Sequence, residues 1–349
     1  MSVDTERLRE TVQYNCHIAD ARHAADYTLC VYLLKMRELY RWEKGYPFGR
    51  PMPSDDVGQW LTSREALWER LESEPFRPLR IAGREIEPFE SDAVNTHLLQ
   101  RGLVYSGGLG RRAAAHFFLG ELEREDRHGD FRVLVVGREH ARDLTAPPAM
   151  AQGRTIYLRR ESLKRMIWEK LQEWRWHEYD NAMKRALDHY PFDEDLERAL
   201  DEMTEAETPH VIRHEIGEIE AGRLLGSEWE EMLVDFAPSR VEILARAVRD
   251  HLADALVTLP ALLEAGHPAS LHFYAANLTA MRRDLFPGFP AAYRTWTESG
   301  ELGPLRNLVD RAAEHWLETA RGILARWHDA GTAAAQAIED YAAARRLTT

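Results

Sequence analysis

The sequence has few cysteines and no long apolar segment. Only Cys16 and Cys30 occur among 349 residues, which allows at most one disulfide. A scaffold stabilised by disulfides is therefore excluded, and the reducing cytoplasm is the expected location. The most apolar stretch, residues 255–263, contains a proline and is too short to span a bilayer. The first residues lack the basic and apolar segments of a signal peptide, which favours the same location.

A basic cluster is also missing. The chain carries 58 acidic against 45 basic residues, and its net charge of −13 makes nucleic acid and anionic membranes unexpected partners. It has no nucleophile elbow, no Cys-x-x-Cys pair and no P-loop, so the common sequence motifs identify no reaction. A small-molecule substrate is compatible with this composition, and the oligomeric state stays open.

Helical patterns dominate both ends of the chain. Residues 5–43 contain neither proline nor glycine, and Gly45 and Pro47 end the long helix that this predicts. Capping boxes open helices at Thr62 and at Ser239, and Pro209 fits the first position of another. The predicted helices after the first cover residues 62–72, 162–189, 208–226, 239–266, 269–285 and 305–346.

Residues 75–153 have a different character. A glycine-rich segment (SGGLGRR, 106–112) precedes a predicted helix at 113–127, and strands are predicted at 131–137 and 155–159. The glycines favour a turn, although backbone amides before a helix could also bind an anion. The predicted fold is mainly α, a bundle-like multi-helix body with a small α/β insert. Its parts are an N-terminal helical segment (1–75) packing on the C-terminal body, the insert (76–160) and the main helical domain (161–349).

The helix from Pro209 carries the first candidate site. His210, His214 and Glu218 follow one another in steps of four on an arc that small residues predict to be buried. Histidine and carboxylate at this spacing can reach one metal ion. Glu215 lies beside this line and is a candidate catalytic carboxylate. The alternative is a histidine pair that neighbouring carboxylates satisfy.

Two other helices add candidates. His251 lies in the middle of an apolar helix face with Asp254 at its edge, and a buried carboxylate needs an arginine, another cation or a metal. In the first helix, His17, Asp20 and Tyr27 share one arc, which would line a cavity if its polar end is buried. A solvated polar face is the alternative for that helix.

These residues favour a metal-dependent enzyme. The proposed ligands His210, His214, Glu218, His251 and Asp254 should converge on one buried pocket, with His17 and Asp20 as further ligands or partners. Glu215 and Tyr27 are the candidate catalytic residues. Iron, manganese or zinc suits such a ligand set, for hydrolysis or for di-iron oxygen chemistry. The alternative is a non-enzymatic interaction or regulatory protein in which the buried His, Asp and Glu residues form structural ion pairs.

Several segments resemble a family of conserved bacterial proteins of uncharacterised function. They are CHIADARHA (16–24) with YTLC (27–30), MR (36–37) with RWE (41–43), APPA (146–149) and RHEIGE (213–218). The resemblance implies one architectural unit from end to end and implies no activity, substrate or cofactor.

Overall fold

The computed structural model describes residues 4–110 and 113–348. The chain divides into two compact units, the first formed by residues 1–172 and 191–208 and the second by residues 173–190 and 209–349. Helix predominates in the described residues, so the predicted mainly α class is confirmed. A regular bundle and the three predicted domain ranges stay predictions.

The first unit combines helices with a sheet. Its elements, in chain order, are α1 (Thr5–His23), α2 (Leu29–Glu43), α3 (Ser54–Leu71), β1 (Leu79–Ile81), β2 (Arg84–Ile86), α4 (Ser91–Leu98), β3 (Leu103–Leu109), β4 (Ala115–His128), β5 (Phe131–Arg142), β6 (Ala149–Gln152), β7 (Thr155–Arg159) and most of α5 (Arg160–Arg175). The helix predicted at 162–189 therefore ends earlier, and a separate short helix follows it.

The long helix predicted over 5–43 is interrupted. A 3₁₀ turn at Ala24–Asp26 follows α1, and Thr28 is extended before α2 begins. At the interruption the Tyr27 hydroxyl lies 2.7 Å from the Thr145 hydroxyl. This tertiary contact needs Tyr27 outside the helix, and neither proline nor glycine marks the break in the sequence.

The five-stranded sheet is larger than predicted. Its order is β3-β4-β5-β7-β6, and β5 and β7 run parallel while the other neighbours are antiparallel. The strands predicted at 131–137 and 155–159 are confirmed. The helix predicted at 113–127 is wrong, because residues 115–128 form β4. Its second half is rich in helix-forming residues, but pairing with β5 outweighs that propensity.

The sheet is covered by α1 on one face. Leu8, Val12 and Cys16 of α1 pack with Phe117 and Leu119 in one apolar cluster. Because β5 and β7 are parallel, their carboxyl ends lie at the same edge of the sheet. The charged residues near the carboxyl end of β5 therefore lie close to those at the carboxyl end of β7.

The second unit is helical. Its elements are α6 (Ala182–Leu187), the later part of α7 (Leu196–Leu225), α8 (Ser227–Asp235), α9 (Arg240–Ala253), α10 (Leu259–Ala265), α11 (Pro268–Asn277), α12 (Ala280–Leu285), α13 (Gly288–Ser299), α14 (Gly303–Ala330) and α15 (Ala335–Ala344). Trp229, Trp316, Phe286 and Phe289 are among the largest buried side chains of its core.

Helix α7 corrects the predicted start at Pro209, which lies inside the helix. Proline lacks an N–H, so the carbonyl of Glu205 receives no bond from it. The hydroxyl of Thr208 donates to the carbonyl of Thr204 at 2.8 Å. The division between the two units falls between Thr208 and Pro209.

Helix α9 begins as its capping box predicts, since the Ser239 hydroxyl accepts from the Glu242 N–H at 3.2 Å. A π-helical turn, Asp254–Thr258, separates α9 from α10. Gly266 ends α10 with a φ of 61°, a left-handed conformation that suits glycine. Among residues 4–110 and 113–348, no helix has both the length and the apolar character that crossing a bilayer requires.

Candidate functional sites

The first candidate site lies where α7 and α9 come close together. A Cβ atom at Gly217 would lie 2.4 Å from the carbonyl oxygen of Ala253, so only glycine permits this approach. One turn before Gly217, His214 places its Nδ1 atom 2.8 Å from Oδ1 of Asp254. The Asp254 side chain is only 1% exposed. Two of the predicted residues therefore form a His–Asp pair in which Asp254 is buried and His214 is partly exposed.

Asp254 is satisfied by further donors. The Tyr274 hydroxyl donates to Oδ2 at 2.9 Å, and the Arg282 guanidinium bonds to the same oxygen. Burial alone would oppose ionisation, but Arg282 and His214 outweigh it and hold the pKa of Asp254 far below its usual range. Burial also works against a charged His214, but Asp254 raises the pKa of that ring well above its usual value. Arg282 thus supplies the cation that Asp254 requires.

Two glutamates of α7 complete the His214–Asp254 cluster. Glu218 Oε1 lies 3.4 Å from Nε2 of His214, and Arg249 approaches Glu218 to 3.8 Å. Burial and the neighbouring Glu218 raise the pKa of Glu215 to about 7. A carboxyl group that titrates near neutrality is suited to proton transfer.

The other two histidines predicted as ligands are not drawn into this cluster. His251 directs Nε2 at the carbonyl oxygen of Arg282, 2.9 Å away, and its ring stacks on Trp316. Its pKa is lowered to about 3, first by burial and then by Arg282. His210 has a buried Nδ1 without a hydrogen-bond partner, and burial with His267 lowers its pKa to about 4. Both rings are therefore neutral at pH 7.

His17, Asp20 and Tyr27 belong to the first unit and have partners there. Arg64 donates to the ring of His17, and burial with Arg64 lowers the pKa of His17 to about 3. Asp20 accepts from the Leu144 N–H at 2.8 Å, and burial together with Asp143 raises its pKa well above the usual value. These side chains therefore find their partners within the first unit, in α3 and in the residues after β5.

In the described part of the chain, no group of three or more His, Cys, Asp or Glu residues has the arrangement of a metal site. The contacts of His214, Glu218 and Asp254 are hydrogen bonds and ion pairs with one another and with arginine. A metal centre remains a prediction. The contacts match the alternative in which these residues form structural ion pairs.

The second candidate site is a cavity in the first unit that the sequence did not suggest. It has a volume of about 370 Å³ and lies against α2, the end of β5 and the first turns of α5. Four cationic side chains line it, and so do three aromatic ones: Arg41, Arg142, Lys164 and Arg165, with Trp42, Tyr46 and Phe48. We call it the cationic cavity.

Three of the four cations have carboxylate partners. Arg41 pairs with Glu38 at 3.0 Å, and Lys164 pairs with Glu197 at 2.9 Å. Arg165 pairs with Glu169 at 2.6 Å. These three positive charges are therefore largely neutralised within the protein.

Arg142 is the exception. It is 2% exposed, its Nε has no hydrogen-bond partner, and one Nη donates at 3.4 Å to the carbonyl oxygen of Glu38. Its guanidinium lies 4.9 Å from the ring of Trp42, and no carboxylate of a described residue pairs with it. Burial and the neighbouring Arg165 lower the pKa of Arg142 to about 10. The cavity wall thus holds a buried cation that no carboxylate pairs with directly, although Glu139 and Glu161 act on its charge from farther away.

The ends of β5 and β7 explain how this charge is placed. Arg159, at the end of β7, bonds to Glu139 of β5 through two hydrogen bonds of 2.9 and 2.7 Å. Because Glu139 is bonded to Arg159, it makes no hydrogen bond with Arg142. The carboxyl group of Glu161 also lines the cavity, but burial and Glu139 raise its pKa. The sign of this site in the sequence was the charged segment REHAR (138–142), directly after the strand predicted at 131–137.

The glycine-rich segment does not form the predicted loop before a helix. Gly107 and Gly108 lie within β3, and the element that follows is the strand β4. A Cβ atom at Gly107 would lie 2.0 Å from the carbonyl oxygen of Pro88, so this glycine serves close packing. Arg111 and Arg112 lie outside the described residues. The predicted anion-binding role of this segment depended on the N-terminus of a following helix, and the element that follows is a strand.

These features define a mainly helical protein of two units, with a mixed sheet in the first unit and a buried ionic cluster in each. The chain belongs to a family of unknown function (DUF6866): the N-terminal domain of that family matches residues 7–159 and the C-terminal domain matches residues 164–345. The resemblance to an uncharacterised family is thereby confirmed. No curated protein and no solved structure matches the chain.

Proposed function

We propose that this protein binds a small organic anion in the cationic cavity of its first unit. The observation that carries the proposal is Arg142, a buried guanidinium at the cavity wall with no carboxylate partner. An ion taken out of water costs several kcal/mol unless an opposite charge or good hydrogen bonds replace its hydration. A bound carboxylate or phosphate would supply both, because guanidinium binds such groups through paired N–H donors.

The rest of the cavity fits the same ligand class. Its volume of about 370 Å³ falls in the range of small-molecule sites. Trp42, Tyr46 and Phe48 offer apolar contact to the uncharged part of a ligand whose anionic group meets Arg142. A small acid or a phosphate ester has this division into an anionic group and an apolar remainder.

The test is a titration of orthophosphate and of pyruvate by isothermal titration calorimetry at low ionic strength. Arg142→Met is expected to weaken binding at least tenfold, because a hydrogen bond to a charged group contributes about 1.5–3 kcal/mol and about 1.4 kcal/mol is a factor of ten. The variant should stay folded, since it removes a buried charge that has no partner.

Arg80→Met is the matched control. Arg80 is an exposed arginine of β1 that pairs with Glu85, and its loss should leave anion binding unchanged. The proposal would be contradicted if the wild type and Arg142→Met bound both anions with equal affinity. It would also be contradicted if the wild type bound neither anion.

A metal-dependent enzyme is the second candidate, and the contacts of His214 with Glu218 and Asp254 are the observation in its favour. A metal ion there would have to compete with Arg282 for Asp254. Elemental analysis of protein purified without a metal-affinity tag tests it. If the protein is a metal-dependent enzyme, the wild type should contain about one Fe, Mn or Zn ion per chain. His214→Ala should lose this metal, and His177→Ala, which replaces an exposed histidine, should keep it. Wild-type protein free of these metals would end this candidate.

A further inference from the structure

Lys35 stands out because lysine is rare in this protein. The sequence has five lysines, at positions 35, 44, 164, 170 and 184. Lys164 and Lys184 are held in ion pairs at 2.9 and 2.7 Å. Lys35 makes no ion pair or hydrogen bond with a described residue, and its amine instead lies 5.3 Å from the centre of the Tyr27 ring.

The position of Lys35 connects it to the cationic cavity. Lys35, Glu38 and Trp42 follow one another at steps of three and four on α2, so they share one face of that helix. Glu38 and Trp42 line the cavity, and Lys35 lies one turn before Glu38. Side chains on a helix tilt toward its N-terminus, so the Lys35 amine extends toward Tyr27, and Lys35 itself is not among the residues that line the cavity.

The neighbours of Lys35 keep its amine near the same site. Tyr27, beneath the amine, contacts Thr145 through its hydroxyl, and Arg165 donates to the carbonyl oxygen of Thr145 at 3.0 Å. Arg165 is itself a cavity residue. A half-buried amine is thus placed near Arg165 and an aromatic ring. The carboxylates of Glu169 and Asp143 also act on the amine, but neither forms an ion pair with it.

We propose that Lys35 is a nucleophilic amine that forms an imine with a carbonyl compound carrying a carboxylate or phosphate group, which the cationic cavity binds. The Lys35 nitrogen attacks the carbonyl carbon and a carbon–nitrogen bond forms. The carbonyl oxygen then leaves as water, and the product is an imine. No oxidant or reductant is consumed. The part of this proposal that concerns the anionic group rests on the proposed function.

The electrostatic surroundings agree with this role. Burial and the neighbouring Arg165 lower the pKa of Lys35 to about 8. At pH 8 about half of such amines are unprotonated, against less than about 1% for an ordinary lysine with a pKa of about 10.4. Neutral amines are the nucleophilic form, and lowered lysine pKa values are a common means of activating them.

The test is reductive trapping of the full-length protein at pH 8, with sodium borohydride and either pyruvate or acetaldehyde, followed by peptide mass spectrometry. Exposed Lys44 of the same chain is the internal control. Acetaldehyde should label Lys35 at least tenfold faster than Lys44, and the rate should fall as the pH is lowered below 8. Lys35→Arg should remove the adduct. Labelling of Lys35 no faster than of Lys44 would overturn the proposal.

Pyruvate separates this proposal from the proposed function. If both hold, Arg142→Met lowers the ratio of pyruvate labelling to acetaldehyde labelling at Lys35 at least tenfold; the ratio is used because the Arg142 charge also acts on the amine itself. If Arg142→Met leaves this ratio unchanged while Lys35 still reacts selectively with acetaldehyde, the nucleophilic amine is supported and its anionic substrate class is overturned. Calorimetry with orthophosphate reports on anion binding by itself.

Discussion

Replacing Asp254 with alanine is expected to lower the free energy of unfolding by about 3–5 kcal/mol. Asp254 is 1% exposed and accepts hydrogen bonds from His214, Tyr274 and Arg282. Without it Arg282, whose side chain is 13% exposed, would lose the carboxylate that it contacts, and a poorly compensated charge is the costly result of breaking such a pair. Urea unfolding followed by circular dichroism measures the loss.

Asp284→Ala is the control for this change. Asp284 pairs with Arg346 at 2.8 Å, but its side chain is 51% exposed, and such surface pairs contribute at most about 1 kcal/mol. If Asp254→Ala and Asp284→Ala destabilise the protein equally, the buried cluster does not have the energetic role inferred from its contacts.

The difference between wild type and Asp254→Ala should also depend on pH. The pKa of Asp254 is lowered in the folded state, so its contribution is present above its unfolded value of about 3.9 and is lost as the pH falls below it. The pKa of His214 is raised, so its contribution is complete below about 6.5 and is lost as the pH rises through the raised value. The stability difference should therefore be largest between about pH 4 and 6.5. A difference that is constant from pH 3 to 9 would contradict this assignment.

Gly217→Ala is expected to cost about 2–3 kcal/mol, the effect of overpacking a tight contact. The new Cβ atom would lie 2.4 Å from the Ala253 carbonyl oxygen, so α7 and α9 would have to separate. Separation would also lengthen the 2.8 Å bond between His214 and Asp254. Thermal unfolding and the chemical shifts of the His214 ring measure the two consequences.

Gly222→Ala provides the matched control in the same helix. No atom lies within 4 Å of a Cβ built at Gly222, and replacing a helical glycine with alanine in open space stabilises by about 0.5–1 kcal/mol. The two substitutions should therefore have opposite signs. Destabilisation by both would show that the close approach at Gly217 is not the cause.

Local patterns predicted the helices well where their caps are encoded nearby. Ser239 with Glu242 placed the start of α9, and Gly266 placed the end of α10. The errors arose where distant contacts decide the conformation. Residues 113–127 were predicted as a helix, but pairing of residues 115–121 with β3 and of residues 118–128 with β5 makes this segment the strand β4. Pro209 read as a first helical residue, but α7 continues through it.

The candidate sites likewise combine features that local sequence patterns predict with features that distant contacts decide. The step of four residues predicted His214 beside Glu218, and the need of a buried carboxylate for a partner predicted that Asp254 joins them. The identity of their cation was not available from spacing, because Arg282 lies 28 residues from Asp254 on another helix. Arg142 was missed because its importance comes from the lack of a partner. That lack is visible only after Glu139 is seen to pair with Arg159.

The π-helical turn at Asp254–Thr258 has a consequence for comparing members of the family. In this turn the N–H of Leu259 bonds to the carbonyl oxygen of Asp254, five residues earlier, so the segment holds one residue more than an α-helical turn would. A relative with a one-residue deletion here could form an unbroken helix, but everything after the deletion would be rotated by about 100°. Tyr274 and Arg282, both downstream, could then no longer meet Asp254 as they do here. An alignment could therefore separate relatives that keep this cluster from relatives that have lost it. The length of this segment would be a better guide than the identity of its residues.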